Sequence, residues 1–576
     1  MFARNTLSQA IGASLLFASG SAFAYLPASN TDADVIMYWG GATASSLSAQ
    51  ELTVAAVCAT DTHLLYQTPN SGTNPKRAGN DWAIACRTSA AKTGIADGTR
   101  VLVIKRDRGG SGVGVGPVQT KSTDPVPTGG APGDGGKISF LNIAPANCNI
   151  AATGGVDGAP AIQDPAGAPG VVIPLVGCTA TYTAFAFAEM GTSDIEPSKF
   201  FDINTPVVDG SGVPFRTESD RTFAEQNALA ALTFNNPVTL ALRNKLQEAQ
   251  FPIGSVCNPA NAAYGQLTAS ETDRPDTTNA ESEACMPSLT REEIDSILTG
   301  KILGWNQLLR ADGSAIPGLT GAVQICRRVD GSGTQATINA LIGSFPCDTN
   351  LADGAIDIIK PRGTASAQLV LNSGSSDVDN CLHNFNATAN PYAIGILSVE
   401  GRNTDNTRNY RYIKIDGVAP TLRNIHAGDY YLWAQQACQR RGESLPYNAG
   451  VGPLDTILNK DRVFDSLCGG NATAGLNSIA TLTKLNNPSD LTNCLNGTAL
   501  SKCGSLYTWG QSGWLATPTS AIVYDNVLAA STRPVNAYTR EVTTGKVNIC
   551  QTPTKATVGG NAARGTIVAP NPNWVP

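Results

Sequence analysis

The sequence predicts an α/β protein of two lobes. Three observations carry that reading. At 576 residues the chain is too long for one hydrophobic core. Short apolar runs end repeatedly in glycine-rich turns that open into helical patterns, the grammar of α/β proteins. Charged residues are only 15%, while glycine and proline number 58 and 34, a composition of turn-rich globular chains and not of coiled coils.

Residues 1–24 read as a secretory signal. Arg4 supplies the positive n-region, Ile11 to Ala18 a short apolar run, and Ala22-Phe23-Ala24 an A-x-A cleavage site. The mature chain then begins at Tyr25, and with no cysteine there no lipid anchor is indicated. No later stretch is long and apolar enough to span a bilayer, so a periplasmic or secreted protein without membrane insertion is expected. Val35 to Trp39 reads as a first strand, broken by Gly40-Gly41-Ala42-Thr43 and followed by a helix from about Ser46 to Val57. Val101 to Ile104 is a second buried strand running into Gly109-Gly110-Ser111-Gly112. From about 113 to 180 Gly, Pro and Ala dominate and most of the segment shows no period. That reads as a long surface insertion, pinned by Cys148 and Cys178.

Tyr182 to Ala188 is apolar and aromatic and leads to Gly191-Thr192-Ser193-Asp194. Leu229 to Leu242 is another largely apolar stretch. Thr290 to Leu298 is a helix with a capping box at Thr290 and Glu293, one apolar face of Ile294, Ile297 and Leu298, and a stop at Gly300. Val323 to Arg327 is a strand, and Asp330-Gly331-Ser332-Gly333-Thr334 turns it into a helix that buries Ile338, Leu341 and Ile342. After about Cys550 the chain is polar and rich in Pro and Gly.

The 14 cysteines are even in number and none forms a C-x-x-C pair; with only three histidines, His63, His383 and His426, a metal site is not expected. Disulfides are the natural alternative in an oxidising compartment, with Cys494–Cys503 and Cys326–Cys347 as candidate pairs. The net charge of −6 becomes −7 once Arg4 leaves with the signal, and without basic runs nucleic acid is no partner.

The sharpest chemical signal is Arg327-Arg328-Val329-Asp330-Gly331-Ser332-Gly333-Thr334. Amides at a helix start point outward and the helix dipole favours an anion there. Glycines let an oxyanion approach the backbone, Ser332 and Thr334 add hydroxyls, and one arginine can hold two oxygens in a fork. No Gly-Lys-Ser/Thr follows, so this is not a Walker loop. On its own the motif also describes a capped helix with a surface salt bridge. The turns at 40–43, 109–112 and 191–194 add weight because ligands of open α/β sheets bind beyond the carboxyl ends of strands.

Together these motifs resemble, in order, those of the phosphate-binding component of Pst-type ABC transporters, of the type II periplasmic binding protein class. Gly40 to Thr43 is similar to that family's Gly-Ala-Thr turn, Gly110-Ser111-Gly112 to its serine-bearing turn, and Thr192-Ser193-Asp194 to its Ala-Ser-Asp motif. Leu289 to Leu308 resembles its helix followed by Gly-Lys-Ile and Trp-Asn; Arg328 to Thr334 its Arg-x-Asp-Gly-Ser-Gly-Thr motif, the most specific of the set. Ala393-Ile394-Gly395 and Lys414 to Pro420, with Tyr430, resemble later segments of the family. The resemblance implies the two-lobed type II fold with mixed sheets and a hinge. Lobe 1 would span 25–235 with the insertion at about 113–180, lobe 2 236–430, and 431–576 would return to lobe 1 with a C-terminal extension. It implies that Thr43, Ser111, Asp194, Arg328, Ser332 and Thr334 contact the anion, helped by the amides of Ala44, Gly333 and Thr334, while Asp330 holds Arg328. Inorganic phosphate or a similar oxyanion is the implied ligand and an ABC permease the implied partner; no cofactor, metal or catalytic residue is implied.

The physics of the residues agrees with those roles. Hydrogen phosphate carries a proton at neutral pH and sulfate does not; an ionised Asp194 only accepts hydrogen bonds and so favours the protonated guest. Arg328 should keep Asp194 ionised. Two rival readings remain: a secreted phosphatase-like hydrolase with Ser111 or Ser332 as nucleophile, for which no G-x-S-x-G elbow or convincing base is visible, and a surface structural protein reusing the fold.

Overall fold

The structure is a computed structural model, and it describes residues 25–60, 62–68, 81–119, 137–149, 175–200, 204, 223, 225–264, 283–347, 368–399, 408–420, 424–425, 428–443, 445–468, 514–516, 538–540 and 547–555. The proposed signal and the Cys494–Cys503 pair lie outside these residues.

The first lobe is built on strands β1 (Val35–Gly40), β2 (Leu64–Gln67), β3 (Asp81–Arg87), β4 (Arg100–Arg106), β5 (Ile138–Phe140), β6 (Cys148–Asn149), β7 (Leu175–Cys178), β8 (Ala184–Ala186), β9 (Met190–Ser193) and the long β10 (Glu225–Asn235). The run Val-Ile-Met-Tyr-Trp makes β1 buried along its whole length, as a strand covered on both faces must be. It lies parallel between β4 and β9, and β3 runs antiparallel to β4. Met37, Trp39, Trp82 and Ile84 face one core; Ile36, Tyr38, Leu102 and Ile104 face a second on the other side. The period of two along each strand divides them in this way. Helix α1 (Ser46–Ala56) follows the turn after β1.

Parts of the glycine-rich insertion are ordered as sheet edge. β6 and β7 pair with each other, and β7 pairs with β2; the Cys148–Cys178 disulfide spans the β6–β7 pair. Ile138, Phe140, Leu141 and Ile143 are buried in the outer core. Strands of two to four residues are too short to show a period in the sequence, which is why this stretch read as featureless.

The stretch Leu229 to Leu242 divides at Pro237. β10 ends at Asn235, β11 (Val238–Thr239) begins a new sheet, and helix α2 (Leu240–Gln250) follows. The second lobe adds β12 (Ser288–Leu289), β13 (Gln324–Arg328), β14 (Gln368–Asn372), β15 (Ile394–Gly395), β17 (Tyr410–Arg411) and β18 (Lys414–Ile415), while β16 (Leu397–Ser398), directly after β15, pairs with β10 of the large sheet. Its five-stranded sheet has the order β14-β13-β15-β11-β17, with β14 and β15 parallel to β13. Helix α3 (Arg291–Leu298) carries the expected capping box: Glu293 N–H donates to Thr290 Oγ1 at 3.1 Å, and Thr290 N–H to Glu293 Oε2 at 2.8 Å. Helices α4 (Gly333–Leu341) and α5 (Ser375–Phe385) follow β13 and β14. The chain returns to the large sheet again through β19 (Trp433–Arg440), which pairs antiparallel with β10 and β9. At the crossings Asn235 Nδ2 donates to Ile413 O at 2.8 Å, and Tyr430 Oη donates to Phe234 O at 2.7 Å. β20 (Trp514–Ala516) pairs with β10, and helix α6 (Ile457–Cys468) is held to β19 by the Cys438–Cys468 disulfide.

Cys326 is joined to Cys381 and Cys347 to Cys550, so the expected Cys326–Cys347 pair is not formed. Cys326 lies in β13 beneath α5, which carries Cys381, whereas α4 separates Cys347 from it by about 13 Å of helix rise. The Cys347–Cys550 bridge ties the second lobe to a short C-terminal hairpin of β21 (Tyr538–Thr539) and β22 (Thr554–Lys555). That hairpin also docks on the first lobe. Ile549 N–H donates to Glu196 Oε2 at 2.8 Å, while Arg540 donates to Tyr431 O at 3.1 Å and Trp433 O at 3.0 Å. Among the described residues no helix is long and apolar enough to cross a membrane.

Candidate functional site

Parallel pairing brings the turns of the first lobe together. Gly40 lies opposite Arg106 on one side and Gly191 on the other, so the turns after β1, β4 and β9 leave from one edge of the sheet. Their backbones pack directly on each other. A Cβ at Gly191 would lie 1.9 Å from Gly114 O, and one at Gly114 would lie 2.1 Å from Thr192 O. No side chain fits there, so glycine at these positions is a packing requirement.

The second lobe meets this edge with the turn after β13. Gly331 (φ 85°) reverses the chain into α4, and Gln335 N–H donates to Ser332 Oγ at 3.3 Å, so Ser332 caps the helix. The capping oxygen accepts, which leaves the hydroxyl hydrogen to donate elsewhere. Gly112 N–H donates to Gly331 O across the lobes at 2.9 Å. Asp194 N–H donates to Ser111 Oγ at 3.0 Å, and Thr334 Oγ1 donates to Asp194 Oδ2 at 3.4 Å. Gly333 is what permits the approach: a Cβ there would lie 2.1 Å from Ser111 Oγ and 2.7 Å from Asp194 Oδ2. Ser111, Asp194, Arg328, Ser332 and Thr334 are all buried.

The Arg328 guanidinium is braced by the turn after β14: Nη1 donates to Ser375 Oγ at 3.2 Å and Nη2 to Ser373 O at 2.9 Å. Asp330, expected to hold Arg328, forms its ion pair with Arg327 at 3.1 Å. Burial pushes the Asp194 carboxyl up to about 6, although Arg328 beside it pulls the other way, as do Ser111, Lys105 and Thr334. Desolvation is the larger effect and Arg328 the largest one opposing it; a carboxyl near 6 is still ionised at neutral pH, the state expected beside Arg328. Asp194 Oδ1 is buried and, among the described residues, meets no hydrogen-bond donor.

Thr43 and Ala44 sit in the turn after β1, which packs against the turn that carries Ser111. Thr43 Oγ1 donates to Asp107 O at 3.0 Å, and Ala44 O accepts from Ser398 Oγ at 3.4 Å. Sequence reasoning did not single out Lys105, Asp107, Ser373 or Ser375. The two serines did have a signal, since Ser373-Gly374-Ser375 follows the apolar run Leu369 to Leu371 as the other turns follow theirs. Lys105 and Asp107 had none, because their place depends on which strand lies next to β4. Among the described residues no cluster of three or more His, Cys, Asp or Glu could hold a metal ion.

Fold and geometry together define a two-lobed α/β protein in which the strand-end turns of one lobe meet a helix N-terminus of the other. No family model matches the chain. In sequence it is similar to the phosphate-binding protein PstS of Bacillus subtilis (strain 168), 27% identical over 164 residues, which is 28% of this chain and 43% of that protein. The chain thus matches less than half the length of that relative. Among solved structures it is similar to a phosphate ABC transporter substrate-binding protein from Clostridium perfringens with bound phosphate (16% identical, 51% of this chain and 77% of that one, TM-score 0.27). It is also similar to an ABC-type phosphate transport receptor from Vibrio cholerae (16% identical, 49% and 79%, TM-score 0.24).

Proposed function

We propose that this protein is an exported oxyanion-binding protein, that its ligand is inorganic phosphate held between the lobes, and that it delivers the ligand to an ABC permease. The observation that carries the reading is the buried acceptor Asp194 Oδ1, which has no donor among the described residues and lies beside Arg328, Ser111 and the α4 N-terminus. A guest that brings both negative charge and a proton suits that surrounding: its charge meets Arg328 and the helix dipole, and its hydroxyl donates to Asp194. Hydrogen phosphate has both features and sulfate lacks the proton. The sequence likeness to a phosphate-binding protein points the same way. Arsenate has the same protonation and similar shape and belongs to the same ligand class.

Calorimetric titration with phosphate and sulfate side by side at pH 7.5 tests the reading. Phosphate should bind and sulfate should bind far more weakly; equal affinities, or no phosphate binding, would sink it. Arg328→Ala should weaken phosphate by about 2–5 kcal/mol, because it strands a buried anion.

A further inference from the structure

We infer that Lys105, with Asp107, is a positioning pair that aims the backbone amides of the first glycine turn at the bound anion, an inference that rests on the oxyanion reading above. Lys105 is the penultimate residue of β4 and is wholly buried, as is Asp107. Its ammonium donates to Gly41 O, lies 3.4 Å from Ala42 O, pairs with the Asp107 carboxylate and stands 5.2 Å from the Trp39 ring centroid. Asp107 extends the brace: its other carboxylate oxygen takes the Ser46 hydroxyl, and its main-chain carbonyl takes Thr43 Oγ1 at 3.0 Å. Four groups of the turn and the helix behind it are therefore held by these two residues.

The consequence follows from the planarity of the peptide. In a trans peptide the C=O and the next N–H point in opposite directions. Holding the carbonyls of Gly41 and Ala42 on the ammonium sends the N–H groups of Ala42 and Thr43 to the opposite side. Ala42 (φ 49°) is left-handed and Thr43, which opens a right-handed 3-10 turn, is not; successive amides across such an alternation make an anion-binding concavity. An alanine in that region is uncommon, so something must hold it there, and the ammonium does. Stability alone is a poor reason for the pair, since a buried ion pair is often replaced by apolar groups without loss.

The test is the double variant Lys105→Met with Asp107→Asn, which removes both charges and leaves no lone buried ion. Its ligand-free melting temperature should stay at or above that of the parent. Phosphate and sulfate affinity should both fall about ten- to a hundredfold, in parallel, because amide donors serve every oxyanion while Asp194 alone discriminates between them. In protein labelled with 15N-threonine, the phosphate-induced shift of the Thr43 amide should vanish and that of Thr334 persist. Unchanged phosphate affinity in the double variant overturns the inference. So does a melting temperature that falls together with the affinity, which assigns the pair to folding. A parent protein that binds no phosphate fails the functional reading itself and is separate from either result.

Discussion

Asp194 shows how one residue can be built against stability. Its folded carboxyl is pushed from 3.8 up to about 6 by burial. Between those values the folded state holds a proton that the unfolded state has lost, so its stabilising contribution is present at low pH and disappears as pH rises through about 6. At neutral pH the ionised group costs the ligand-free fold on the order of 2–3 kcal/mol. Asp194→Asn should therefore raise the ligand-free melting temperature at pH 7.5 while abolishing the preference for phosphate over sulfate. A variant that melts lower, or still discriminates, would show that the carboxylate has another role. In the parent, sulfate binding should strengthen as pH falls below about 6, when Asp194 gains a hydrogen to donate. Legibility at this scale followed contiguity. Arg328, Ser332, Gly333 and Thr334 sit in one motif and were readable as a group. The partner of Asp330 was not, because neighbouring residues of a strand such as Arg327 and Arg328 point to opposite faces, and the sequence does not say which face meets the site.

Elements were legible where a local rule decided them. The capping box of α3 and the apolar runs of β1 and β4 are settled by neighbours in sequence. The break at Pro237 and the edge strands β6 and β7 are settled by distant partners. The glycines give a sharp contrast at the same scale. Gly333→Ala places a methyl where Ser111 and Asp194 must come close, so phosphate affinity should drop by more than a hundredfold in calorimetry, as an obstructed approach of two rigid bodies does. Its ligand-free melting should barely change, because alanine suits the first turn of a helix and the lobes can part. Gly191→Ala is different: the obstacle is the Gly114 carbonyl within the same lobe, where nothing can part. It should destabilise the fold by about 3 kcal/mol or more in denaturant unfolding.

At the scale of the molecule, two sheets are bound by backbone crossings at Asn235–Pro237, at Gly395–Leu397 and between Ile413 and Tyr430, and the sequence pointed to such a pair of lobes through its length and its returning strand motifs. The C-terminal hairpin could not be foreseen, because Cys347 and Cys550 are 203 residues apart and pairing at that distance is decided by the completed fold. Ile549 and Cys550 are consecutive, yet the first is fastened to Glu196 and the second to Cys347 on the opposite body. Such an attachment acts like a short chain on a door: swing is allowed, but only to the length of the links. Capture and discharge of a guest would then use a narrow swing, and the time a guest stays inside would be governed partly by a sulfur–sulfur link remote from it. Replacing both Cys347 and Cys550 with serine should enlarge the unliganded particle in small-angle scattering and shorten phosphate residence in stopped flow; identical scattering and residence would mean the chain hangs slack.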